Sequence, residues 1–422
     1  MDHNELGVRL KKLRAAKAKK LGQRKIPQRE VAAQLNISPG AYGSWESGRT
    51  KPDVTLLPKI ADYFEVSIDF LLGHTASVEP ITTKTGLVWS LRRPAQTENE
   101  QKGIKVWERL TQGESLESIA TALKARSLRE IERYLLDVIY TDMLSIDHLP
   151  QDPDLAKRVR QTFGLREVIV VPVPVVEETL LRFRTILLGE AARAYFKAHV
   201  YEGMRVGIAG GYSVSRMIYS LRRGECQSIE IYPLATSPVI EVIALDANSL
   251  VGAFTYRHND HNVRGYALQY ASPSDWKAAE DIQRLAPTLR ILARAKSVDI
   301  AFMGIGIVGR RRAPIDWLSD LLAIRGLDLE GIRQRGAIGD ILYHLVDPNG
   351  QPVAPEISDL ICSIDLQDLR EMIRSGARVV VIASRREKVA IAQAAIKAGY
   401  ANVLIIDDEL AQALLESKEQ PT

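Results

Sequence analysis

Cysteine is scarce in this 422-residue chain: two residues, Cys226 and Cys362, stand far apart. Neither a disulfide framework nor a cysteine-based metal or redox spacing can be built from them, so two reduced thiols in a cytoplasmic protein are expected. Long apolar runs are missing too. The longest candidates, VIVVPVPVV at 168–176 and VVVIA at 379–383, fall far short of the ~20 residues a membrane-crossing helix needs, and prolines interrupt the first. The N-terminal MDHNELGVRLKKLRAAKAKK has no apolar h-region and no cleavage site, so no secretory signal is expected. Clustered metal ligands are equally sparse. RHNDHN at 257–262 offers His258, Asp260 and His261 in a polar loop with no second ligand set, and no metal site or cofactor is expected.

What is present is an ordinary globular composition, 46% hydrophobic and 26% charged, at a length that suggests two to four domains. The net charge of +4 is unevenly spread: nine Lys or Arg residues and no acid lie between Arg9 and Lys25. Such a block suits either a solvated helix face or a nucleic-acid arm.

The following residues favour the arm. NELGVRLKKLRAAKA sets Leu6, Leu10 and Leu13 on one helical face. PQREVAAQL places Pro27 at a first helical position and Val31, Ala32 and Leu35 in the core. Asn36 and Ile37 turn the chain, Ser38 caps the next helix, PGAYGSWE, and two further segments begin at Asp53 and Ser67. Short helices joined by a tight turn form a helix-turn-helix. Over residues 5–73, through QREVAAQLNIS, WESGRTKPD and LLPKIADYFEVSIDFLLG, the chain resembles the lambda-repressor/Cro-like (XRE) DNA-binding domains. The expected contacts to double-stranded operator DNA are Gln28, Arg29, Ser38, Gly40, Tyr42, Ser44, Arg49 and Lys51, with Arg29, Arg49 and Lys51 on phosphates. Trp45, Leu57, Ile60 and Ala61 are expected in the core. The exposed start of the recognition helix reads Pro39, Gly40 and Ala41, where long side chains would make bidentate base contacts. Readout by shape and phosphate, or weak discrimination, follows.

Residues 74–98 are polar, contain prolines and read as a linker, which Leu87, Val88, Trp89 and Leu91 can dock locally. Helical periodicity returns over 99–148. ESLESIATAL and SLREIERYLLDV again suggest two helices and a turn, locally similar to the helix-turn-helix units near the C-termini of RecQ-type helicases. Two readings stay open: a second DNA contact through Lys124, Arg126, Arg129 and Arg133, or a spacer or dimerisation bundle with Ile119, Leu123, Leu128, Ile131 and Leu135 as its core.

From 149 to 422, short apolar runs (EVIVVPVP, RVGIAGG, SIEIYPL, DIAFMGIG, ARVVVIAS, NVLIID) alternate with amphipathic stretches. The expected architecture is therefore multidomain α and α/β: an all-α helix-turn-helix domain at 1–73, a small helical middle unit, and a C-terminal α/β domain with a mainly parallel sheet. Ligands bind such sheets beyond the carboxyl ends of the strands, so the turns at 207–213, 304–309, 336–340 and 383–388 map to one rim.

This region resembles the effector domain of SorC/DeoR-type sugar-binding transcriptional regulators through LLGEAARAYF, VGIAGGYSV, VDIAFMGIG, GAIGDILYHLVDPNG and ANVLIIDDELAQALL. The resemblance implies a fold related to phosphosugar isomerases and deaminases and a sugar-phosphate effector held by Gly210, Gly211, Tyr212, Ser213, Gly306, Asp340, Arg385 and Lys388. Gly211, Tyr212 and Ser213 would give amides, and Ser213 a hydroxyl. Arg222 and Arg223 are secondary anion candidates. ASRREK at 383–388 departs from the family's AGG-x-x-K: Ser384 and Arg385 fill glycine positions, and Arg385 or Arg386 can bind an anion directly. No catalytic residue is expected. The function implied is a metabolite-responsive transcriptional regulator, a homodimer or homotetramer on half-sites ~34 Å apart. The alternatives are an effector-independent architectural DNA-binding protein and a phosphosugar enzyme tethered to DNA.

Overall fold

In the computed structural model, helix α1 (His3–Lys20) buries Leu6, Leu10 and Leu13 against α2 (Gln28–Leu35), α3 (Pro39–Glu46) and α4 (Leu57–Phe64). The structure describes residues 3–20, 23–64, 66, 71, 81–83, 86–91, 95–140, 143–173, 181–222, 225–236, 243–259, 262–269, 279–308 and 317–419. Two units are distinguished, Met1–Leu149 and Pro150–Thr422.

The N-terminal helices begin and end for local reasons. Pro27 is the N-cap of α2 rather than its first residue, because its ψ of 146° is still extended. Asn36 closes α2 in the left-handed region at φ 58°, which its short polar side chain tolerates. The Ser38 hydroxyl accepts the Ala41 N–H at 3.2 Å and opens α3. Asp53 caps a 3-10 turn, Val54–Leu56, that precedes α4. Ser67 and residues 68–70 lie outside the described residues.

Part of the expected linker is ordered sheet. Strands β1 (Ile81–Thr82) and β2 (Val88–Leu91) pair antiparallel with each other, and β2 pairs with β3 (Leu144–His148). Between them lie α5 (Glu98–Thr111), α6 (Leu116–Ala122) and α7 (Leu128–Tyr140). Trp89 docks edge-on against Trp107, ring centroids 6.4 Å apart. A capping box between Thr97 and Glu100 starts α5. Gly103 lets α5 press onto α7, since a Cβ there would lie 2.1 Å from the Tyr134 carbonyl oxygen. Ile119, Ile131 and Leu135 are buried as expected, whereas Leu123 and Leu128 flank the α6–α7 turn and are half-buried.

The second unit runs α8 (Pro153–Phe163), β4 (Glu167–Val171), α9 (Leu181–His199), β5 (Arg205–Ile208), α10 (Tyr212–Ser220), β6 (Glu230–Pro233) and β7 (Ala235–Thr236). It continues through α11 (Ala247–Arg257), β8 (Arg264–Gly265), α12 (Ala279–Ala295), β9 (Ile300–Met303), β10 (Gly306–Ile307), α13 (Trp317–Ile324) and α14 (Leu329–Gln334). It ends with β11 (Gly339–Ile341), β12 (His344–Val346), α15 (Pro355–Ser358), β13 (Cys362–Ser363), α16 (Leu366–Arg374), β14 (Arg378–Ala383), α17 (Val389–Lys397), β15 (Val403–Asp407) and α18 (Asp408–Glu419).

Seven strands form one sheet in the order β4-β15-β14-β9-β5-β6-β8, parallel throughout. The interior strand β14 reads as a continuous apolar run because both of its faces are buried. The chain leaves β5 outward to β6 and returns to β9 on the other side, so the topological switch lies between β5 and β9. Loops leaving that crevice are where open α/β sheets bind ligands. Cys226 and Cys362 are buried free thiols, and burial pushes the Cys226 thiol up to about 12. Among the described residues, no helix is long and apolar enough to cross a membrane.

Candidate functional site

The surface of the first helix-turn-helix is built from a buried ion pair upward. Glu46, at the end of α3, is 2% exposed and receives Arg14 Nε at 2.7 Å and Nη2 at 2.8 Å. Arg14 Nη1 also binds the Ile26 carbonyl at 2.7 Å. Burial works against the Glu46 charge, yet hydrogen bonds from Arg14 and Gln28 hold its carboxyl below the usual range.

That lock changes two expected DNA contacts. Gln28 Nε2 donates to Glu46 Oε2 at 2.6 Å, so its amide ties α2 to α3 instead of reaching outward. Tyr42 is fully buried and packs edge-on against Trp45. It is a core residue and not a DNA contact, because its place on α3 faces α1 and α2. Arg29, Ser38, Gly40, Arg49 and Lys51 are exposed, and Ser44 is half-buried. The Ser38 hydroxyl is spent on its cap, and Arg49 Nε rests on Ser47 Oγ at 3.0 Å. Open space surrounds Gly40: a Cβ there meets nothing within 4 Å.

The second site lies at the β5/β9 crevice. Gly210 lies so close to the Leu245 carbonyl oxygen that a Cβ would stand 2.7 Å from it. Gly211, at φ 108° and ψ 168°, takes a conformation that L side chains rarely adopt and is the N-cap of α10. Its N–H donates to Leu245 O at 2.8 Å, so the expected Gly211 amide is already committed. The first-turn amides of α10, from Tyr212, Ser213 and Val214, come next, and a helix start concentrates such groups with the positive end of the dipole. The Ser215 N–H is the first to turn back, onto Gly211 O.

Gly306 and Asp340 are cross-strand partners in the β10–β11 ladder. A Cβ on Gly306 would collide with Asp340 Oδ1 at 1.8 Å, so the carboxylate lies across the glycine. Lys388 reaches the same place and donates Nζ to Ile305 O at 2.7 Å. Burial pushes Asp340 up to about 6, against a Tyr343 backbone hydrogen bond and the Lys388 charge. Burial, then the nearby Arg385 cation, pulls Lys388 down to about 8.

The departed glycine position keeps its glycine backbone. Arg385 stands at φ 79° and ψ 144°, a strained conformation for a side-chain-bearing residue, costing ~1–3 kcal/mol. Its N–H donates to both carboxylate oxygens of Asp407 at 3.1 Å. Asp407 is in turn held by Arg184 at 2.8 Å, and Arg184 also pairs with Glu409. Ser384 is buried. Arg386 is exposed and paired with Glu416, which leaves Arg385 as the guanidinium beside Lys388. Arg222 follows the far end of α10, away from the loop, and Arg223 lies outside the described residues.

Tyr343 and Asp246 also belong here, although the sequence patterns did not single them out. DILYHL carries no glycine or proline turn signal around its apolar ILY, yet Leu342 and Tyr343, at φ 51° and 68°, turn it into a two-residue hairpin between β11 and β12. The Tyr343 hydroxyl comes within 3.5 Å of a Cβ placed on Gly210. Burial and the Asp246 and Asp340 carboxylates push its phenol up. Asp246 caps α11 through the Asn248 and Ser249 amides. His258 is buried at the end of α11, Asp260 and His261 lie outside the described residues, and no metal-capable cluster occurs among the described ones.

A family model described as "Putative sugar-binding domain" matches residues 147–416, and a helix-turn-helix model matches residues 17–71. The deoxyribonucleoside regulator of Bacillus subtilis (strain 168) is 32% identical over 126 residues, 30% of this chain and 37% of that protein. The transcriptional regulator LsrR of Escherichia coli (strain K12) is 33% identical over 128 residues, 30% of this chain and 38% of that one. The matches thus span under two fifths of these relatives' length. The full-length sorbitol operon regulator SorC from Klebsiella pneumoniae shares the fold at TM-score 0.52 and 20% identity, covering 76% of this chain and all of that one.

Proposed function

This chain belongs to the SorC/DeoR-type sugar-binding family, with an XRE-type helix-turn-helix ahead of the family domain, and from that membership we propose a transcriptional regulator responsive to a phosphorylated sugar or related anionic metabolite. The observation that carries the reading is the convergence of the Gly210–Gly211 loop, the start of α10, Asp340 and Lys388 at the β5/β9 switch point.

In this reading the α10 amides and the Ser213 hydroxyl hold the phosphate, Lys388 adds charge, and Asp340 accepts sugar hydroxyls. The loop binds without reacting. DNA is held by the first helix-turn-helix through Arg29, Arg49 and Lys51. A homodimer or homotetramer couples the two, because a ligand that prefers one subunit arrangement changes half-site spacing and so DNA affinity.

The test is a thermal-shift and operator-affinity screen with phosphorylated sugars on the full chain. Ser213→Ala with Lys388→Met removes the response and leaves DNA binding intact. A response that survives both changes places the ligand elsewhere. Silence of the wild type across the panel, with DNA binding intact, favours the architectural alternative. Affinity is greatest between about pH 6, below which Asp340 protonates, and about pH 8, above which Lys388 loses its proton. The two groups titrate as a coupled pair, so a flat profile across this window removes them from the site.

A further inference from the structure

The hairpin beside the Gly210 loop is built against the preference of its own backbone. Strands β11 and β12 pair through Asp340 with Leu345 and Ile341 with His344, which leaves Leu342 and Tyr343 as a two-residue turn. Both stand at positive φ, 51° and 68°, the geometry that Asn-Gly fills with least strain. A bulky aromatic in the left-handed region is an outlier, and such outliers collect at ligand sites.

The surroundings fix the turn in place. Leu342 is buried, and Asp340 accepts the Tyr343 N–H. The next residue, His344, is held by Ser358 Oγ at 3.1 Å and by the Ile364 carbonyl at 3.0 Å. Tyr343 itself packs against two apolar clusters, one containing Met303 and Ile341, the other Leu321 and Ile357. A side chain anchored on so many sides does not swing away to admit a larger molecule.

Its reach sets a length. The backbone of Tyr343 bonds to Asp340, while its hydroxyl comes within 3.5 Å of a Cβ placed on Gly210. One phenol side chain therefore spans the distance from that carboxylate to the glycine loop that opens α10. The Asp246 and Asp340 carboxylates both act on the phenol, and Lys388 lies on the Asp340 side, bonded to Ile305 O.

Resting on the phosphosugar reading above, we propose that Tyr343 is the size-selecting residue of the site. Its ring is the fixed wall along which the carbon chain of a sugar phosphate lies, between a phosphate at the start of α10 and Asp340. The site then takes short-chain sugar phosphates and turns hexose phosphates away. Core packing alone does not call for tyrosine at the tip of a turn that favours Asn-Gly. A wall at a set distance from the phosphate loop does, because glycine in the same turn leaves that space open.

The experiment is calorimetric titration of the full chain with triose, pentose and hexose monophosphates. The wild type is expected to bind the triose or pentose compound more tightly than the hexose one. Tyr343→Gly raises the hexose-to-triose affinity ratio by about 10- to 200-fold, the range that one misfitting methylene group commands in a fitted pocket. Tyr343→Asn also accepts the left-handed turn, so it does the same and serves where the glycine variant fails to melt cooperatively. Tyr343→Phe keeps the ring and with it the wild-type ratio. A residue with a packing role alone lowers stability in the Gly and Asn variants and leaves the ratio where it was, and that result overturns the proposal. So does a ratio that shifts as far in Tyr343→Phe. A wild type that binds all three sizes equally overturns the size selection and leaves the phosphosugar reading standing. Silence of the wild type and the glycine variant alike removes both, whereas a silent wild type beside a glycine variant that binds hexose phosphate supports the wall.

Discussion

Two small helical groups of the chain, α1–α4 and α5–α7, are built in similar ways and present different side chains. The first, α1–α4, is organised around the Arg14–Glu46 pair and presents Arg29, Arg49 and Lys51. Its recognition helix begins with Pro39 and Gly40, residues that cap and start a helix well but carry nothing to hydrogen-bond a base edge. The second, α5–α7, is organised around Trp107 and a capping box and presents arginines from the helix face itself. The backbone of a small helical group therefore does not say which contacts it can make. That is decided by which side chains remain free after the core and the caps have taken theirs.

The largest expected effect tests the lock of the first unit. Glu46→Ala leaves Arg14 buried without its partner and should destabilise α1–α4 by ~3–5 kcal/mol. Helices α5–α7, whose buried faces pack on one another, should keep their protection, and hydrogen exchange resolved along the chain reads the difference. Protection lost equally from both units would break the comparison. Acid should act in the same direction. Glu46 has a folded pKa below its unfolded one, so its contribution is complete above the unfolded carboxylate value of ~4.3 and is lost as pH falls through the lower folded value.

Next in size is the joint replacement of Arg29, Arg49 and Lys51 by alanine. If these are phosphate anchors, affinity falls alike for all sequences and the salt slope drops by about 0.9 per contact removed. A sequence-dependent loss would make the first unit a base reader after all.

The smallest effect is expected at Gly40. Alanine there has open space and a better helix propensity, so stability should rise by up to ~1 kcal/mol. Weaker DNA binding alongside that gain would show that the backbone at Gly40 approaches the duplex closely. Equal or tighter binding would leave the glycine without a role at the interface.

The sequence patterns carried the helices α1–α4 and the alternation of strands and helices after residue 149; of the glycine turns expected on one rim, 336–338 instead leads into β11 of a separate antiparallel sheet. Each of these rests on short-range periodicity, capping or turn chemistry. Residues 81–91 were less readable, because a two-residue and a four-residue strand acquire meaning only through β3, more than fifty residues later in the chain. At the rim, Gly210, Gly211, Ser213, Gly306, Asp340 and Lys388 were readable from motif residues, while Tyr343 stood without a glycine or proline turn signal. Its turn needs two residues at positive φ, and neither is glycine.

By itself the sequence determined the helices of α1–α4 and the alternation of strands and helices after residue 149. Local backbone energetics suffices for that. Only the tertiary structure decided which polar groups are free. Gln28, Tyr42 and the Gly211 amide have the chemistry of contacts, yet Glu46, the helical core and the Leu245 carbonyl claim them first. Arg385 keeps a glycine's conformation because Asp407 grips its amide from a distant strand. A hydrogen bond can be spent once, and its long-range partner is invisible in a local pattern.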